Sequence, residues 1–560
     1  MHYIVSTVLP FLYSALAFIL LLVPLVVFHE FGHFIFAKLF GVKAEVFSVG
    51  FGKKLWKKQI GETEFCVSAI PLGGYVKLLG EDRDAELSPE EQKRALHRQK
   101  AWKRFLIFSG GPLFNFILAI FIFMVILVIG EPQVASVVGR VVHHSAAEKM
   151  GFRSGDEILS IQDKPVRKFE EVMLALNESP NRDLVFQVKH SGDANVTTVM
   201  AHVSGQKGIG VYGENAQVGE IEGLLPMARA NQIGVSNPSS RAAQAGLETG
   251  DVLLEWNEKT LENWEELEAK YLALHSGESF SLTIQKKGKN ARSAPEKVKV
   301  QWVRPAHSLG DLGADFGLFS SELFIQQVLQ KSPAEKMGLL SGDRLLSVGK
   351  ESVQSFFQLR EKVQFYGETK GVVEISWERS GEVKTATIQP TRTESRDSLL
   401  NKVTQYTVGV MPMLVYAEPR VVIERIYHPG VLLKKATLRM FELTSRHLIS
   451  MKKMFSGEVS MGALSGPIMI GKVAGESMAR GLIVFLTNMS IFSIGLGILN
   501  ILPIPVLDGG HLLLLAVESV RGRPLSPRQM EIVQGLGLIF ILTLMGIAFH
   551  NDIARLIYSS

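Results

Sequence analysis

Two histidines and a glutamate lie inside the first long apolar run of the sequence, "VVFHEFGHFIFAKLF" at residues 26–40. His29 and His33 are four residues apart, so on a helix both imidazoles point to the same side, one turn apart. Glu30 lies close enough to reach a water on a shared metal. The pattern H-E-x-x-H on a helix holds zinc through its two histidines and uses the glutamate as a general base. We predict these roles here; the alternative is a pair of histidines satisfied by hydrogen bonds between helices.

A catalytic zinc usually takes three protein ligands, so a third ligand is expected elsewhere in the chain. The best candidate is Asp508, in "NILPIPVLDGGHLL" at residues 500–513, where Pro503 and Pro505 prevent a regular helix. D-G-G is also an ordinary turn signal, so this segment could instead be the interfacial end of a span. Asn500 could bind the substrate backbone or the oxyanion, or could simply join two helices. Two histidines and one aspartate suit zinc best among divalent ions.

The elements that must position these residues are membrane spans. Hydrophobic residues make up 46% of the 560, and four segments are apolar and long enough to cross a bilayer, near 8–34, 105–130, 481–507 and 531–549. Ionisable groups inside a span are costly and usually functional, which favours the metal interpretation of the first one. The net charge is only +5 and no basic patch carries interleaved aromatics, so nucleic acid is not an expected partner. The single cysteine, Cys66, excludes an intramolecular disulfide and a C-x-x-C metal site.

Lys and Arg in the short loops set the orientation of the spans. The loop at 35–104 is rich in both, and Arg521, Arg523 and Arg528 lie between the last two spans. Both loops are therefore predicted to be cytoplasmic, which places residues 131–480 on the outer side. The metal site then opens toward the cytoplasmic side.

The middle of the chain contains an internal repeat with the frame G-[FL]-x-x-G-D-x-[ILV]-L. Its copies begin at Gly151, Gly246 and Gly338, and each is followed by a helical stretch. A period near ninety residues is too long for a solenoid and suits small domains in tandem. The frame resembles PDZ domains, whose groove accepts an extended chain at a sheet edge. Three domains are expected, at 131–212, 213–307 and 308–393; they could also be plain spacers.

The segment that follows, 394–480, combines a strand-like linker with a helix. Residues 430–455 mix apolar residues with Lys and Arg at helical spacing. This pattern favours a helix lying along the membrane surface. A core helix of a soluble domain is the alternative.

HEFGH in the first span, with N-x-x-P-x-P-x-x-D-G-G in a late span, resembles the site-2 protease family of intramembrane zinc metalloproteases. "GFGKKLW" (50–56), "PLGGYVKLLGE" (71–81), "SGGPLFN" (109–115) and "LSGPIMI" (464–470) are also similar to motifs of that family. The resemblance covers nearly the whole chain. The bacterial type within the family that this sequence resembles closely commonly carries two PDZ domains, whereas three repeat frames occur here.

The resemblance implies peptide hydrolysis within the membrane, with Zn²⁺ on His29, His33 and Asp508 and with Glu30 as general base. It also implies that a membrane-reentrant β-loop at 71–79 pairs with an unwound substrate; its residues are Gly73, Gly74, Tyr75 and Val76. The expected substrates are single-span proteins of the anti-sigma factor type, or remnant signal peptides, in a stress response at the bacterial inner membrane. PDZ ligands are expected on the periplasmic side, where the repeats would exclude substrates with large intact ectodomains.

We therefore predict a multi-span α-helical membrane protein with about four transmembrane helices, a membrane-associated β-loop and three inserted PDZ-like α+β domains. The predicted segments are the first transmembrane helix at 1–34, a cytoplasmic loop with a β-hairpin at 35–104, the second helix at 105–130, the insertion described above, the third segment at 481–507 and the fourth helix at 531–549. Two other functions stay open: a membrane-tethered zincin acting on extramembrane peptides, and a non-enzymatic PDZ scaffold or metal transporter.

Overall fold

The computed structural model describes residues 9–81, 86–209, 215–287, 296–308, 310–396, 402–523 and 525–558. Three features of the predictions lie outside these ranges: the first eight residues of the segment 1–34, Arg83 of the basic loop and the boundary at 212/213. The helices are α1 Leu9–Leu39, α2 Pro89–Arg94, α3 Ala101–Ile129, α4 Ala146–Lys149, α5 Phe169–Asn177, α6 Arg241–Gln244, α7 Trp264–Ala273, α8 Leu312–Phe316, α9 Pro333–Lys336, α10 Phe356–Lys370, α11 Pro429–Phe455, α12 Pro467–Arg480, α13 Leu482–Ile501, α14 Asp508–Arg521 and α15 Pro527–Tyr558.

The strands are short except in one hairpin near the N-terminus. They are β1 Ala44–Ile60, β2 Thr63–Leu78, β3 Glu131–Val134, β4 Arg140–Val141, β5 Glu157–Ile161, β6 Lys164–Pro165, β7 Arg182–Lys189, β8 Val196–Ile209, β9 Asn215–Glu220, β10 Leu224–Leu225, β11 Ile233–Gly234, β12 Val252–Trp256, β13 Lys259–Thr260, β14 Ser279–Gln285, β15 Lys297–Val303, β16 Phe319–Ser320, β17 Ile325–Val328, β18 Arg344–Val348, β19 Glu351–Ser352, β20 Val373–Arg379, β21 Glu382–Ile388, β22 Thr391–Arg396, β23 Lys402–Thr407, β24 Val410–Pro412 and β25 Val421–Glu424.

Four helices among the described residues, α1, α3, α13 and α15, are long and apolar enough to cross a membrane. They correspond to the four predicted spans, but their ends differ. Helix α1 continues to Leu39, beyond the predicted end at 34, and the chain leaves it through Gly41 at φ 78°. Helix α13 stops at Ile501 rather than at 507. Leu502 is extended there, as a residue before proline must be.

The helices α1, α3 and α13 pack together around one buried apolar cluster. Gly32 on α1 and Gly110 on α3 bring two backbones into contact, since a Cβ on Gly32 would lie 2.1 Å from the Gly110 carbonyl oxygen. Small residues at a helix crossing allow this close approach in membranes. Helix α12, which was not predicted from the sequence, packs against α1, with Gly475 against Ser14.

The predicted amphipathic helix at 430–455 is α11. Leu432, Ala436 and Met440, spaced one turn apart, are buried against α3 in the same apolar cluster. Arg439 forms an ion pair of 2.6 Å with Glu131, the first residue of β3, just beyond the end of α3. Part of the apolar face of α11 is therefore covered by the helical bundle itself.

The β1–β2 hairpin lies against α1 and contains the predicted strand at 71–79 in its second arm. Its turn is tied down by Glu62, which accepts hydrogen bonds from Arg94 on α2 and Lys38 on α1, at 2.7 and 2.6 Å. The bonds from Arg94, and then from Lys38, lower the pKa of the Glu62 carboxyl to about 2. These contacts fix the turn of the hairpin beside the C-terminal end of α1.

The three repeat copies fold into three similar units. Their sheets have the strand orders β6-β5-β7-β8-β9, β13-β12-β14-β15 and β19-β18-β20-β21, each with one short and one longer helix packed alongside. The aspartate of each repeat frame is buried and accepts a hydrogen bond from the backbone N–H three residues earlier. It also pairs with a cationic or histidine side chain at or just past the end of the adjacent strand of the sheet. These pairs are Asp156–His190, Asp251–Lys286 and Asp343–Arg379.

The predicted ends of the units at 212, 307 and 393 all fall short of where the structure closes them. Strands β9 and β10 pair with strands of the first unit, β16 pairs with β11 of the second, and β24 pairs with β17 of the third. Each unit is closed by one or two strands beyond its predicted end, and these strands carry no repeat signal. The whole insertion is closed by antiparallel pairing of β3 with β25.

A buried charge cluster joins the three units. Arg140 of the first unit pairs with Glu322 of the third at 2.5 Å and lies 3.8 Å from Glu265 of the second. Arg229 holds the same Glu265 at 2.6 Å. Because all three units supply a member, no unit can move away without separating buried charges.

Candidate metal centre

The structure brings His29, His33 and Asp508 together, although they are hundreds of residues apart in the sequence. His29 and His33 lie one turn apart on α1, and Asp508 is the first residue of α14. Nε2 of His29 is 3.1 Å from one carboxylate oxygen of Asp508, and Nε2 of His33 is 3.4 Å from the other. The two Nε2 atoms are 3.3 Å apart. One potential ligand atom from each residue thus faces a common point.

These separations fit a tetrahedral zinc. With Zn–N and Zn–O bonds of about 2.0–2.2 Å at tetrahedral angles, the ligand atoms lie about 3.3–3.5 Å from one another. All three ligand atoms here lie within 4.8 Å of one another. Two imidazoles and a carboxylate are also the donor set that zinc prefers, and they leave a fourth position for water. The residues present therefore fit the metal.

Helix α3 packs against both histidines and helps to orient them. His33 donates through Nδ1 to the carbonyl oxygen of Ile107 at 2.8 Å, which leaves its Nε2 free to face Asp508. Gly111, one turn further along α3, leaves room for both rings: a Cβ there would lie 2.3 Å from His33 Nε2 and 2.6 Å from His29 Cε1. Gly111 belongs to the motif "SGGPLFN", whose sequence alone does not indicate a role in the centre.

Asp508 is held by a compact turn between α13 and α14. Val506 adopts a φ of 83°, which β-branched residues rarely tolerate and which costs about 1–3 kcal/mol. Gly509 and Gly510 lie so close to the preceding turn that a Cβ on either would come within 2.4 Å of a backbone carbonyl oxygen. The D-G-G sequence is therefore required by close packing, and it fixes Asp508 at the start of its helix.

Glu30 lies on α1 beside the second arm of the hairpin. The backbone N–H of Val76 faces its carboxylate, and the Cβ position of Gly74 lies 3.3 Å from its Cγ. Gly73 and Tyr75 point to the other face, where the Tyr75 ring stacks on Phe51 at 6.2 Å between ring centres. Of the four predicted β-loop residues, the structure brings Gly74 and Val76 to Glu30 and turns the other two toward the hairpin's own Phe51.

Asn500 lies at the end of α13 with its side-chain amide 3.4 and 3.5 Å from the two ring nitrogens of His29. It therefore lies beside one metal-ligating candidate. It also connects α13 to α1, which was the alternative role predicted for it.

The centre combines two histidines one turn apart, a glutamate between them and a remote aspartate. This is the residue set of a zinc metallopeptidase, and it is surrounded here by helices that could cross a membrane. Comparison with known proteins agrees with that class. Residues 17–544 match peptidase family M50, so the chain belongs to that family, and the resemblance to the site-2 proteases is confirmed. The chain is a zinc-dependent metalloprotease.

Its curated relatives match over nearly their full length. It is 30% identical to the regulator of sigma E protease of Haemophilus influenzae, over 98% of this chain and all of the relative. It is 29% identical to the regulator of sigma-E protease RseP of Escherichia coli, with the same coverage. A Vibrio cholerae protein whose name assigns it provisionally to the zinc metalloproteases is 30% identical, over 97% of this chain and 99% of that one.

Proposed function

We propose that this protease hydrolyses peptide bonds within the transmembrane segments of single-span proteins, with His29, His33 and Asp508 as zinc ligands and Glu30 as general base. The observation that carries the proposal is the 3.1–3.4 Å separation of three potential ligand atoms at a point lined by candidate membrane spans. A metal site between membrane spans can act on a substrate that is itself in the membrane.

Bound zinc would supply a Lewis acid that makes water a stronger acid and polarises a carbonyl. The Glu30 carboxylate takes a proton from the attacking water as the water oxygen bonds to the scissile carbonyl carbon. The C–N bond then breaks, and Glu30 returns the proton to the amine that leaves. Asn500, beside His29, donates a hydrogen bond to the oxygen of the scissile carbonyl as negative charge develops there.

A helical substrate must unwind before its scissile carbonyl can be attacked, because that carbonyl is hydrogen-bonded within the helix. The second arm of the hairpin offers a place for the extended form. Strand β2 pairs with β1 along one edge, with Val49 opposite Gly74 and Phe47 opposite Val76. The other edge faces Glu30, as the Val76 N–H shows. An unwound substrate that adds to this edge has its backbone next to the general base.

The three repeat units are best explained as PDZ-like domains on the outer side of a bacterial inner membrane, with the metal centre toward the cytoplasm. The shared strand order and the lysine-rich loop at 35–104 support this arrangement. The units would exclude substrates with large ectodomains and admit trimmed ones, such as anti-sigma factors or remnant signal peptides. Deleting residues 135–420 keeps the β3–β25 pair and should allow cleavage of an untrimmed substrate; unchanged discrimination would show that the units do not select by size.

The experiment that tests the proposed function is to locate the cut. The purified protein is placed in lipid vesicles with a tagged single-span substrate, and the product masses are measured. Cleavage at bonds within the span is expected. Cleavage confined to the extramembrane flanks would instead identify a membrane-tethered protease of extramembrane peptides.

A further inference from the structure

Asn115 is a fully buried polar residue on α3 that the proposed mechanism does not use. Its side-chain Nδ2 is 3.1 Å from Nδ1 of His29, and its Oδ1 has no hydrogen-bond partner. This buried amide contacts one candidate ligand, but only one of its two polar atoms has a hydrogen-bond partner. A buried polar atom without a partner requires an explanation.

The orientation of this amide decides which nitrogen of His29 carries the proton. If Nδ2 donates to Nδ1, the neutral ring has its proton on Nε2, which is the atom that faces Asp508 at 3.1 Å. That ring could not bind a metal through Nε2. Turning the amide by 180° exchanges its nitrogen and oxygen, which have nearly the same shape and are assigned from hydrogen bonding alone. Oδ1 then accepts from Nδ1–H, and the Nε2 lone pair faces the centre.

His33 shows the same arrangement with a group that can only accept. The Ile107 carbonyl oxygen takes the His33 Nδ1 proton at 2.8 Å. One face of α3 carries three residues spaced four apart, Ile107, Gly111 and Asn115. The first provides an acceptor for His33, the second leaves space for both rings, and the third places its side-chain amide beside His29. Asn500 is a poorer acceptor for the same proton, since its amide is 3.5 Å from Nδ1 and closer to Nε2, at 3.4 Å.

We propose that Asn115 is a positioning residue whose Oδ1 accepts a hydrogen bond from Nδ1–H of His29 and so holds the Nε2 lone pair toward His33 and Asp508. Such partners of metal-binding histidines fix the tautomer and the ring orientation, and their loss typically lowers metal affinity by about 10–100-fold. The inference rests on the proposed ligand role of His29.

The test measures zinc affinity by competition with a chelator, in full-length protein carrying Glu30→Gln so that no turnover contributes. Asn115→Leu, of similar size but without polar atoms, should weaken zinc binding about 10–100-fold. Asn115→Asp can only accept and should keep or strengthen binding. If Asn115→Leu does not fold, Asn115→Ala takes its place. Thr487→Val, which removes a buried hydroxyl on α13, is the control and should bind zinc normally.

The outcomes separate this inference from the ligand assignment. If His29→Ala retains zinc affinity, the ligand role of His29 is wrong and the inference is wrong with it. If His29→Ala loses zinc but Asn115→Leu binds it normally, Asn115 does not position His29. If Asn115→Asp is as weak as Asn115→Leu, the amide acts as a donor and the proposed orientation is overturned.

Discussion

His29 Nε2 lies 3.1 Å from the Asp508 carboxylate, although the two residues belong to the first helix and to the penultimate one. Neither segment can form the centre alone. Asp508→Asn should lower zinc affinity by more than about 100-fold, because the loss of a ligand exceeds the loss of a supporting residue. Metal content after dialysis measures this. His511→Gln is a matched control: His511 lies one turn along the same helix and stacks on Phe108. Equal zinc loss in both variants would contradict a specific role for Asp508.

Gly111 sets the space available to the histidines. In Gly111→Ala the new methyl group would overlap both rings, so the histidines must move and zinc affinity should fall by at least about tenfold. The control is Gly495→Ala on α13, where an added Cβ has no heavy atom within 4 Å. Metal affinity by chelator competition compares the two variants. Normal zinc binding in Gly111→Ala would show that α3 does not limit the space available to the two histidines.

The open edge of β2 can be tested with one residue. Val76→Pro removes the N–H that faces Glu30 and one point where a substrate strand could pair. Turnover of a single-span substrate should fall by about tenfold or more, the equivalent of one lost hydrogen bond, while zinc content is unchanged. Val76→Ala keeps the N–H and should cleave at close to the original rate. If the proline variant cleaves as fast as the alanine variant, substrate does not add to this edge.

The charge cluster between the three units should contribute to their stability. Arg140→Met leaves Glu322 buried without its partner and should lower the free energy of unfolding by about 3–5 kcal/mol. The exposed pair Arg420–Glu262 is the control, and Arg420→Met should cost about 0–1 kcal/mol. Urea unfolding of the full chain, followed by tryptophan fluorescence, measures both, since Trp256, Trp264, Trp302 and Trp377 all lie in the second and third units. Equal effects would show that the units are not coupled through Arg140.

The membrane helices and the repeats could be predicted because their signals are local. Long apolar runs produce spans, and the G-D turn of each repeat requires glycine, as the φ of 86° at Gly155 shows. Helix α12 was missed because "PIMIGKVAGESMAR" is too short for a span and has two glycines in its interior, which lower its helix propensity. It is held by contacts distant in sequence: Asp552 of α15 accepts hydrogen bonds from the backbone N–H groups of Gly466 and Met469.

The centre was predicted from residue types, but its geometry was not. The spacing of His29 and His33 defines a helix face, whereas only packing of α14 against α3 determines that Asp508 meets that face. The roles of Gly111 and Asn115 were missed for the same reason, since a glycine and an amide on an apolar helix carry no metal signal. The division of the β2 residues between two faces could have been predicted from the sequence, because strand residues two apart share a face.

The central claim is that Glu30 is the general base of a zinc protease acting within the membrane. The most direct test is cleavage of a tagged single-span substrate by the original protein and by Glu30→Gln, with zinc measured on both. We predict equal zinc contents, cleavage within the span by the original protein, and a rate about 10²–10⁴-fold lower in the variant. Equal cleavage by both proteins would contradict the assignment of Glu30. Zinc on both without cleavage of any span, including one with a trimmed ectodomain, would contradict the proposed substrate class.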